Sequence, residues 1–427
     1  MGNVVPPPPT TTYHRRGHAS IELRSEIAYS GRTEFEGRCL TPGPPMLSGE
    51  HQLRAGTHDR HPQRLNSHCP PWLRGFDEKP YKQAMAALAS IDLSQLYRDG
   101  QLDQELRDEL LNSCATYGFV KFVGHGLSDE RIHELFAWSR EFFGWPDEVK
   151  QSANRSNKGP YRGYAGVGRE QIGAITGYIK GVKDGAPVTD VKECFDLGPV
   201  HDTIYPTPWP VVAGARGKEF RSFMQSFFAD CVQLHDLLVS IFEQALHLED
   251  GEISQRCSAG NGEVRITHYP PIAMSQLQTG RTFRIAEHTD VGILTLLFQD
   301  SVGGLEIEDP ARPGQFVAVE SSRPSEMIVN IADTLQRWTS GVLKSTNHRV
   351  LAPQRREGAH EDEVVPARYS VGFFGKANMD APLTPLPSLL SSTRNQVEAS
   401  NGMTAQEYYN YMHEKTAKAV SEPVAVS

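Results

Sequence analysis

The sequence predicts a mainly β protein with flanking helices (α+β), in which an antiparallel jelly roll or barrel is backed by one long helix. Between Val264 and Phe374 the chain breaks into short β-type runs, "EVRITHYP", "ILTLLFQD", "GLEIEDP", "QFVAVE", "EMIVNIA", "TNHRVLA" and "RYSVGFF", punctuated by Gly, Pro and polar turns. Before them, Phe220, Phe223, Phe227, Cys231, Leu234, Leu238, Ile241, Ala245 and Leu248 recur three and four apart, the period of one apolar helix face. Such a face is suited to covering a sheet.

Residues 1–85 are rich in Pro, Arg, His and Ser and show no sustained period, so a disordered extension is expected there. Residues 86–205 form an N-terminal region. A short strand begins near Ile91, a helix runs to about Cys114, and "FVKFVG" makes a second strand. Ser128 is placed to cap a helix "DERIHELFAWSREFFG" that stops at Gly144, before Trp145-Pro146. Residues 158–188 mix glycines with aromatics and read as a long lid-like loop. The "GYAGVG" within it has its glycines in the wrong order for a dinucleotide fingerprint. Residues 206–260 carry the backing helix, on which His235 and His247 have no partner at ligand spacing and are expected to be partly exposed. Residues 261–378 are the β core. Residues 379–427 give a loop and a last helix, "TAQEYYNYMHEKTAKA", opened by Thr404 and Glu407 at capping-box spacing.

At 427 residues the chain can bury a substantial core. A net charge of -9, from 43 Lys+Arg against 52 Asp+Glu, provides no basic footprint, so no nucleic-acid partner is expected. The six cysteines are scattered without a CxxC pair, as free thiols in a reducing compartment would be. The longest apolar runs are too short to span a membrane, and the first residues lack the apolar core of a secretory signal. Pro6 also departs from the Ser or Thr that myristoylation prefers. A cytoplasmic location, a small-molecule substrate and no obligate protein partner are the expectations.

The stretch "AEHTDVGILTLLFQD" carries the chemistry. On a strand, His288 and Asp290 would share one face. His348, in "KSTNHRV" at the start of another β run, is a third candidate ligand. Two histidines and one carboxylate leave open positions on an octahedral iron, the facial triad of non-haem Fe(II) oxygenases. An HxD spacing alone equally suits a hydrogen-bonded histidine at a strand end. Twenty residues beyond His348, however, Arg368 and Ser370 again stand two apart, and a guanidinium beside a hydroxyl can grip a carboxylate. An ion pair of Arg368 with the acidic run at 360–363 is the plainer alternative.

Together, the HTD at 288–290, His348, the RYS at 368–370, the HYPP at 268–271 and "YGFVKFVGHGL" resemble the isopenicillin N synthase-like branch of the Fe(II)/2-oxoglutarate-dependent dioxygenases. The resemblance runs from about Ile91 to Asn378. It is greatest to fungal members such as thymine 7-hydroxylases and the oxygenases of alkaloid clusters. It implies a double-stranded β-helix (jelly-roll) core, with His288, Asp290 and His348 as catalytic iron ligands. Arg368 and Ser370 would hold the distal carboxylate of 2-oxoglutarate, and Tyr269 would help position it. Thr267 stands where plant relatives often have Asn, and Val291 where many fungal relatives have Tyr, which alters the pocket wall.

The implied cofactor set is Fe(II), with 2-oxoglutarate and O2 as cosubstrates and ascorbate as an auxiliary reductant. The implied reaction is oxidation of a small organic molecule by hydroxylation, desaturation or ring formation, with release of succinate and CO2. Fungal secondary metabolism or nucleobase and alkaloid metabolism would be its setting. Tyr161, Arg162, Tyr164, Phe195 and Phe373 are candidates for the substrate pocket, with core packing the alternative for each. Three rivals stand beside this reading. They are a cosubstrate-free iron oxidase of the isopenicillin N synthase kind, a zinc hydrolase, for which no HExxH-type base is present, and a non-catalytic binding protein.

Overall fold

All seven β-type runs form strands, and their shortness follows from their being divided between two sheets. The computed structural model describes residues 88–98, 101–155, 161–170, 189–279, 281–353, 363–390 and 402–412. The expected extension over residues 1–85, most of the glycine-rich segment, residues 360–362 of the acidic run and the end of the last helix lie outside these. We number the strands of the two sheets in chain order: Ser90–Asp92 (β1), Phe119–Val123 (β2), Gly163–Ala165 (β3), Glu193–Leu197 (β4), Gly262–Tyr269 (β5), Ile285–His288 (β6), Leu294–Gln299 (β7), Leu305–Glu308 (β8), Phe316–Ala318 (β9), Met327–Ile331 (β10), His348–Val350 (β11) and Arg368–Gly375 (β12). The larger sheet has the order β1-β2-β10-β7-β12-β5-β4-β3, and the smaller β6-β11-β8-β9. Within these sheets only the β1–β2 pair is parallel.

Among the described residues the helices include Gln104–Thr116 (α1), Asp129–Gly144 (α2), Asp147–Gln151 (α3), Arg216–Ala245 (α4) and Asp333–Trp338 (α5). α2 starts where its cap predicts, with Ser128 Oγ accepting from the Arg131 N–H at 3.2 Å. The capping box at the last helix also forms. Glu407 N–H donates to Thr404 Oγ1 at 3.3 Å, and the Thr404 N–H to Glu407 Oε2 at 2.8 Å.

α4 lays its apolar stripe on the larger sheet, and the ring of Phe227 meets Phe298 of β7 while Phe228 meets Phe373 of β12. The helix is shorter than its apolar period suggests. It ends at Ala245, and His247 takes a left-handed φ of 52°, so Leu248 is buried beyond the helix rather than on it. His235 corrects the expectation of exposure, since it is buried at 3 %. The reason lies across the interface at Gly375, where an added Cβ would stand 2.2 Å from the imidazole Nε2. His247 is exposed as expected, and its Nε2 lies 3.0 Å from Arg107 Nη1.

The glycine-rich segment is not loop throughout. Gly163–Ala165 form the edge strand β3 on β4, and Gly163, at φ +99°, lies where a Cβ would be 2.5 Å from the Ala153 carbonyl. Among the described residues, no helix is long and apolar enough to cross a membrane.

The His235–Gly375 contact makes a direct test of how α4 seats on the sheet. Gly375→Ala should destabilise the protein by about 1–3 kcal/mol in denaturant titration, because a buried ring has little room to retreat. Adding His235→Ala should recover much of that loss. A Gly375→Ala protein as stable as wild type would show that the contact is loose.

Candidate active site

The three candidate metal ligands are brought to one point by a strand ladder, which carries the two histidines, and by a turn, which carries the aspartate. His288 is the last residue of β6 and His348 the first of β11, and the two are opposed across the antiparallel ladder. Their ring centroids lie 4.2 Å apart. Each Nδ1 faces a backbone carbonyl two residues earlier, Ala286 at 2.8 Å and Thr346 at 3.2 Å. A carbonyl only accepts, so both Nδ1 atoms carry the proton and both Nε2 lone pairs are free for a cation.

Asp290 does not share a strand face with His288, as alternation alone suggested, because β6 ends at His288 and the chain turns. The turn is held by the start of α5. The N–H groups of Asp333, Thr334 and Ala332 donate to the carbonyls of Asp290, Gly292 and Ile293 at 2.7, 3.0 and 3.0 Å. Asp290 Oδ2 then accepts from Thr295 Oγ1 at 2.7 Å and Asn330 Nδ2 at 2.8 Å. Its Oδ1 is left 3.7 Å from His288 Nε2 and 3.9 Å from His348 Nε2. The ligand atoms of the three residues all lie within 4.8 Å of one another.

Burial, followed by the neighbouring His348, pulls His288 down to about 3, so it is a neutral donor near neutral pH. Burial pushes Asp290 the other way, but His348, His288 and the bonds from Asn330 and Thr295 outweigh it and hold the carboxyl below its usual range. A lone pair, a negative charge and an inward-facing geometry suit a divalent transition metal with open positions.

A further ladder, β5–β12, builds the neighbouring part of the site. Arg368 stands opposite Tyr269, and Ser370 opposite Thr267. Arg368 is buried at 1 %, yet only its Nη2 is bonded, to Gln299 Oε1 at 2.8 Å, while Nε and Nη1 have no partner. Its guanidinium carbon lies 4.8 Å from the Tyr269 ring centroid, and the Tyr269 hydroxyl lies 3.4 Å from Ser370 Oγ. The ion pair with the acidic run therefore does not account for Arg368 among the described residues. A buried cation with spare donors is a cradle for a carboxylate.

Triad and cradle line one cavity of about 210 Å³. Phe119, Leu297, Leu305 and Val350 make its apolar wall, and Val291 and Thr267 line it as well. Its lining also includes the charged Glu170, Glu263, Arg265 and Lys376, together with Tyr409 and Met412 from the last helix. These charges are paired. Arg265 reaches Glu170 at 3.1 Å and Asp196 at 2.6 Å, and Lys376 reaches Glu263 at 2.7 Å. Burial would raise Glu263, but Lys376 and Arg162 hold it at about 2.

Of the five candidate pocket residues, only Tyr161 lines this cavity, its ring lying under the guanidinium groups of Arg155 and Arg265. Arg162 is buried against Glu263 and lines a smaller neighbouring cavity, so it is not an exposed arginine and has no free charge to offer a substrate. Tyr164 is a core residue whose hydroxyl donates to Glu193 Oε2 at 2.6 Å. Phe195 packs among Phe142, Trp209 and Phe220. Phe373 faces α4, and its neighbour Phe374 lines the cavity instead.

That last correction follows from the pleat. From Arg368 and Ser370, period two leads to Gly372 and Phe374, not to Phe373. The same rule on "EVRITHYP" takes Tyr269 back through Thr267 to Arg265 and Glu263, cavity residues that the sequence reading missed although their signal was present. Asn330 and Gln299 were also missed; a polar residue within an apolar strand, or closing one, is their signal.

Comparison with known proteins adds relatives to this geometry. Residues 88–211 match the non-haem dioxygenase in morphine synthesis N-terminal family, and residues 261–377 match the 2OG-Fe(II) oxygenase superfamily. A 2-oxoglutarate-dependent dioxygenase of Dothideomycetidae sp. is 43% identical, with 66% of this chain and 83% of the relative covered. A proline hydroxylase of Petromyces alliaceus is 39% identical over 70% of this chain and 86% of its own length. Among solved structures, the full-length thymine 7-hydroxylase of Neurospora crassa in complex with alpha-KG superposes with a TM-score of 0.64 at 27% identity, covering 77% of this chain and 96% of that one.

The bonds to Asp290 Oδ2 predict a graded effect. Asn330→Ala should weaken Fe(II) binding by about 10–100-fold, the usual cost of removing a group that orients a metal ligand. Isothermal titration with Fe(II) under argon measures it. Unchanged affinity would mean that the carboxylate keeps its orientation without the amide.

Proposed function

We propose, for a chain that belongs to the 2OG-Fe(II) oxygenase superfamily, that His288, Asp290 and His348 hold the iron and that Arg368, Ser370 and Tyr269 receive the distal carboxylate of 2-oxoglutarate. The protein is an Fe(II)- and 2-oxoglutarate-dependent oxygenase of small organic molecules. The observation that carries the residue assignment is the buried, half-bonded Arg368 in the same cavity as the three converging ligand atoms.

When bound, iron and 2-oxoglutarate supply with O2 an oxidant strong enough for an unactivated carbon, at the cost of decarboxylation to succinate. The chain's own residues decide the rest. Two Nε2 atoms and Asp290 Oδ1 present three donors on one side, leaving the other side open to the cavity. Thr295 and Asn330 keep Asp290 Oδ2 occupied, so the carboxylate cannot swing away. Arg368 fixes one end of the cosubstrate, which orients the keto acid end toward the ligand atoms. Phe119, Leu297 and Leu305 keep the space between dry, which protects a reactive site from side reactions.

The substrate would then lie toward the paired charges of the cavity. Glu263–Lys376 and Glu170–Arg265 offer donors and acceptors to a polar small molecule, beside Tyr161 and Tyr409 in the cavity lining. The carbon held nearest the open side decides among hydroxylation, desaturation and ring formation. The proline hydroxylase and the other fungal oxygenases among its relatives favour a role in secondary metabolism, on a heterocycle or amino-acid-derived compound.

Turnover of 2-oxoglutarate to succinate by protein, Fe(II) and ascorbate, without added substrate, tests this reading against the cosubstrate-free oxidase. Succinate should form slowly, and Arg368→Gln should raise half-saturating 2-oxoglutarate by about 30-fold or more, since losing one member of a buried charge pair costs about 2 kcal/mol at least. Oxygen consumption that needs no 2-oxoglutarate would favour the oxidase.

A further inference from the structure

A second arginine is buried beside the cradle. Arg284, just before β6, is fully buried at 0 % exposure. Its guanidinium makes one hydrogen bond, from Nη2 to the Pro366 carbonyl, and Nε and Nη1 are buried without a partner. Among the described residues, no carboxylate pairs with it. The carboxylate whose charge acts on it, Asp300, has its two oxygens taken by the N–H groups of Val302 and Tyr369.

Arg284 and Arg368 both lie over the ring of Tyr269. The guanidinium carbon of Arg284 is 5.9 Å from the Tyr269 ring centroid, and that of Arg368 is 4.8 Å from the same centroid. The two cations are thus no farther apart than those two distances combined. Burial first, and then Arg368, pull Arg284 down to about 10, the response of a cation with too little negative charge around it. A folded chain that keeps two half-bonded guanidinium groups in one dry region has an unmet demand for an anion.

Resting on the cosubstrate assignment above, we propose that Arg284 is a positioning residue for 2-oxoglutarate: a second buried cation, over the same Tyr269 ring as Arg368, that makes the pocket select an acid with a distal carboxylate. It does not line the cavity, so it acts through its field and through Tyr269 rather than by contact. Arg368 grips the carboxylate, while Arg284 increases the penalty for an acid that lacks one.

The test compares two ligands on the full chain loaded with Fe(II) under argon: 2-oxoglutarate and 2-oxopentanoate, a keto acid of equal length without the distal carboxylate. Arg284→Gln should weaken 2-oxoglutarate by about tenfold, equivalent to about 1.4 kcal/mol. It should leave the Fe(II) and 2-oxopentanoate affinities unchanged, so that the preference between the acids narrows. Arg284→Lys should restore most of that preference. If Arg284→Gln does not fold, Arg284→Met, which keeps the apolar stem, carries the same comparison. Equal loss for both acids, a parallel loss of Fe(II) affinity, or no change at all would overturn the proposal. Wild-type protein that binds Fe(II) but not 2-oxoglutarate would instead overturn the cosubstrate assignment itself.

Discussion

The pleat of the larger sheet is the constraint on which the rest depends. Successive side chains on β5, β7, β10 and β12 are divided between α4 on one face and the cavity on the other. Val264, Ile266, Leu296, Phe298, Val329, Val371 and Phe373 go to the helix side and form the main core. Glu263, Arg265, Thr267, Tyr269, Thr295, Leu297, Asn330, Arg368, Ser370, Gly372 and Phe374 go to the cavity. A register slip of one residue on β12 would turn Arg368 to the face where Tyr369 now meets Phe143 and turn Phe373 toward the cavity face. The apolar face that fixes the fold thereby fixes the chemistry.

Burial does the second part of the work. The same dry interior that would penalise a lone charge makes the three ligand atoms receptive to a cation and Arg368 receptive to an anion. The site is assembled with its charges in place but incompletely answered, and the answering groups are an iron ion and a carboxylate. Elsewhere in the cavity the chain answers its own charges, Glu263 with Lys376 and Arg162, and Glu170 with Arg265, Lys192 and Arg155. The contrast separates the part of the cavity that awaits fixed partners from the part that presents closed pairs to a variable substrate.

Much of this was legible in the sequence, and the failures have identifiable causes. The strands, α2 with its Ser128 cap, α4 and the Thr404–Glu407 box follow from local rules, and local rules sufficed. His288, Asp290, His348 and Arg368 do meet in space, although Asp290 arrives by a turn tied to α5 rather than by strand alternation. Phe195, Tyr164 and Phe373 were misplaced because an aromatic beside a motif says nothing of its face unless the pleat is counted through it. His235 could not be read correctly from its own helix, because the space for it is made by the missing side chain of Gly375. Arg284 gave no signal in sequence either. Its meaning comes from two guanidinium groups gathered at one ring, a fact of tertiary structure.

The central claim is that the three converging atoms and the Arg368 cradle form one site for iron and 2-oxoglutarate. An anaerobic optical titration measures this most directly: metal-free protein is given Fe(II) and then 2-oxoglutarate, and the weak visible charge-transfer band of the iron-bound keto acid is followed. The account predicts a band that saturates at one equivalent of iron per chain and is absent in His288→Ala. Iron that binds without producing a band on addition of 2-oxoglutarate, or a chain that binds no iron, would contradict it.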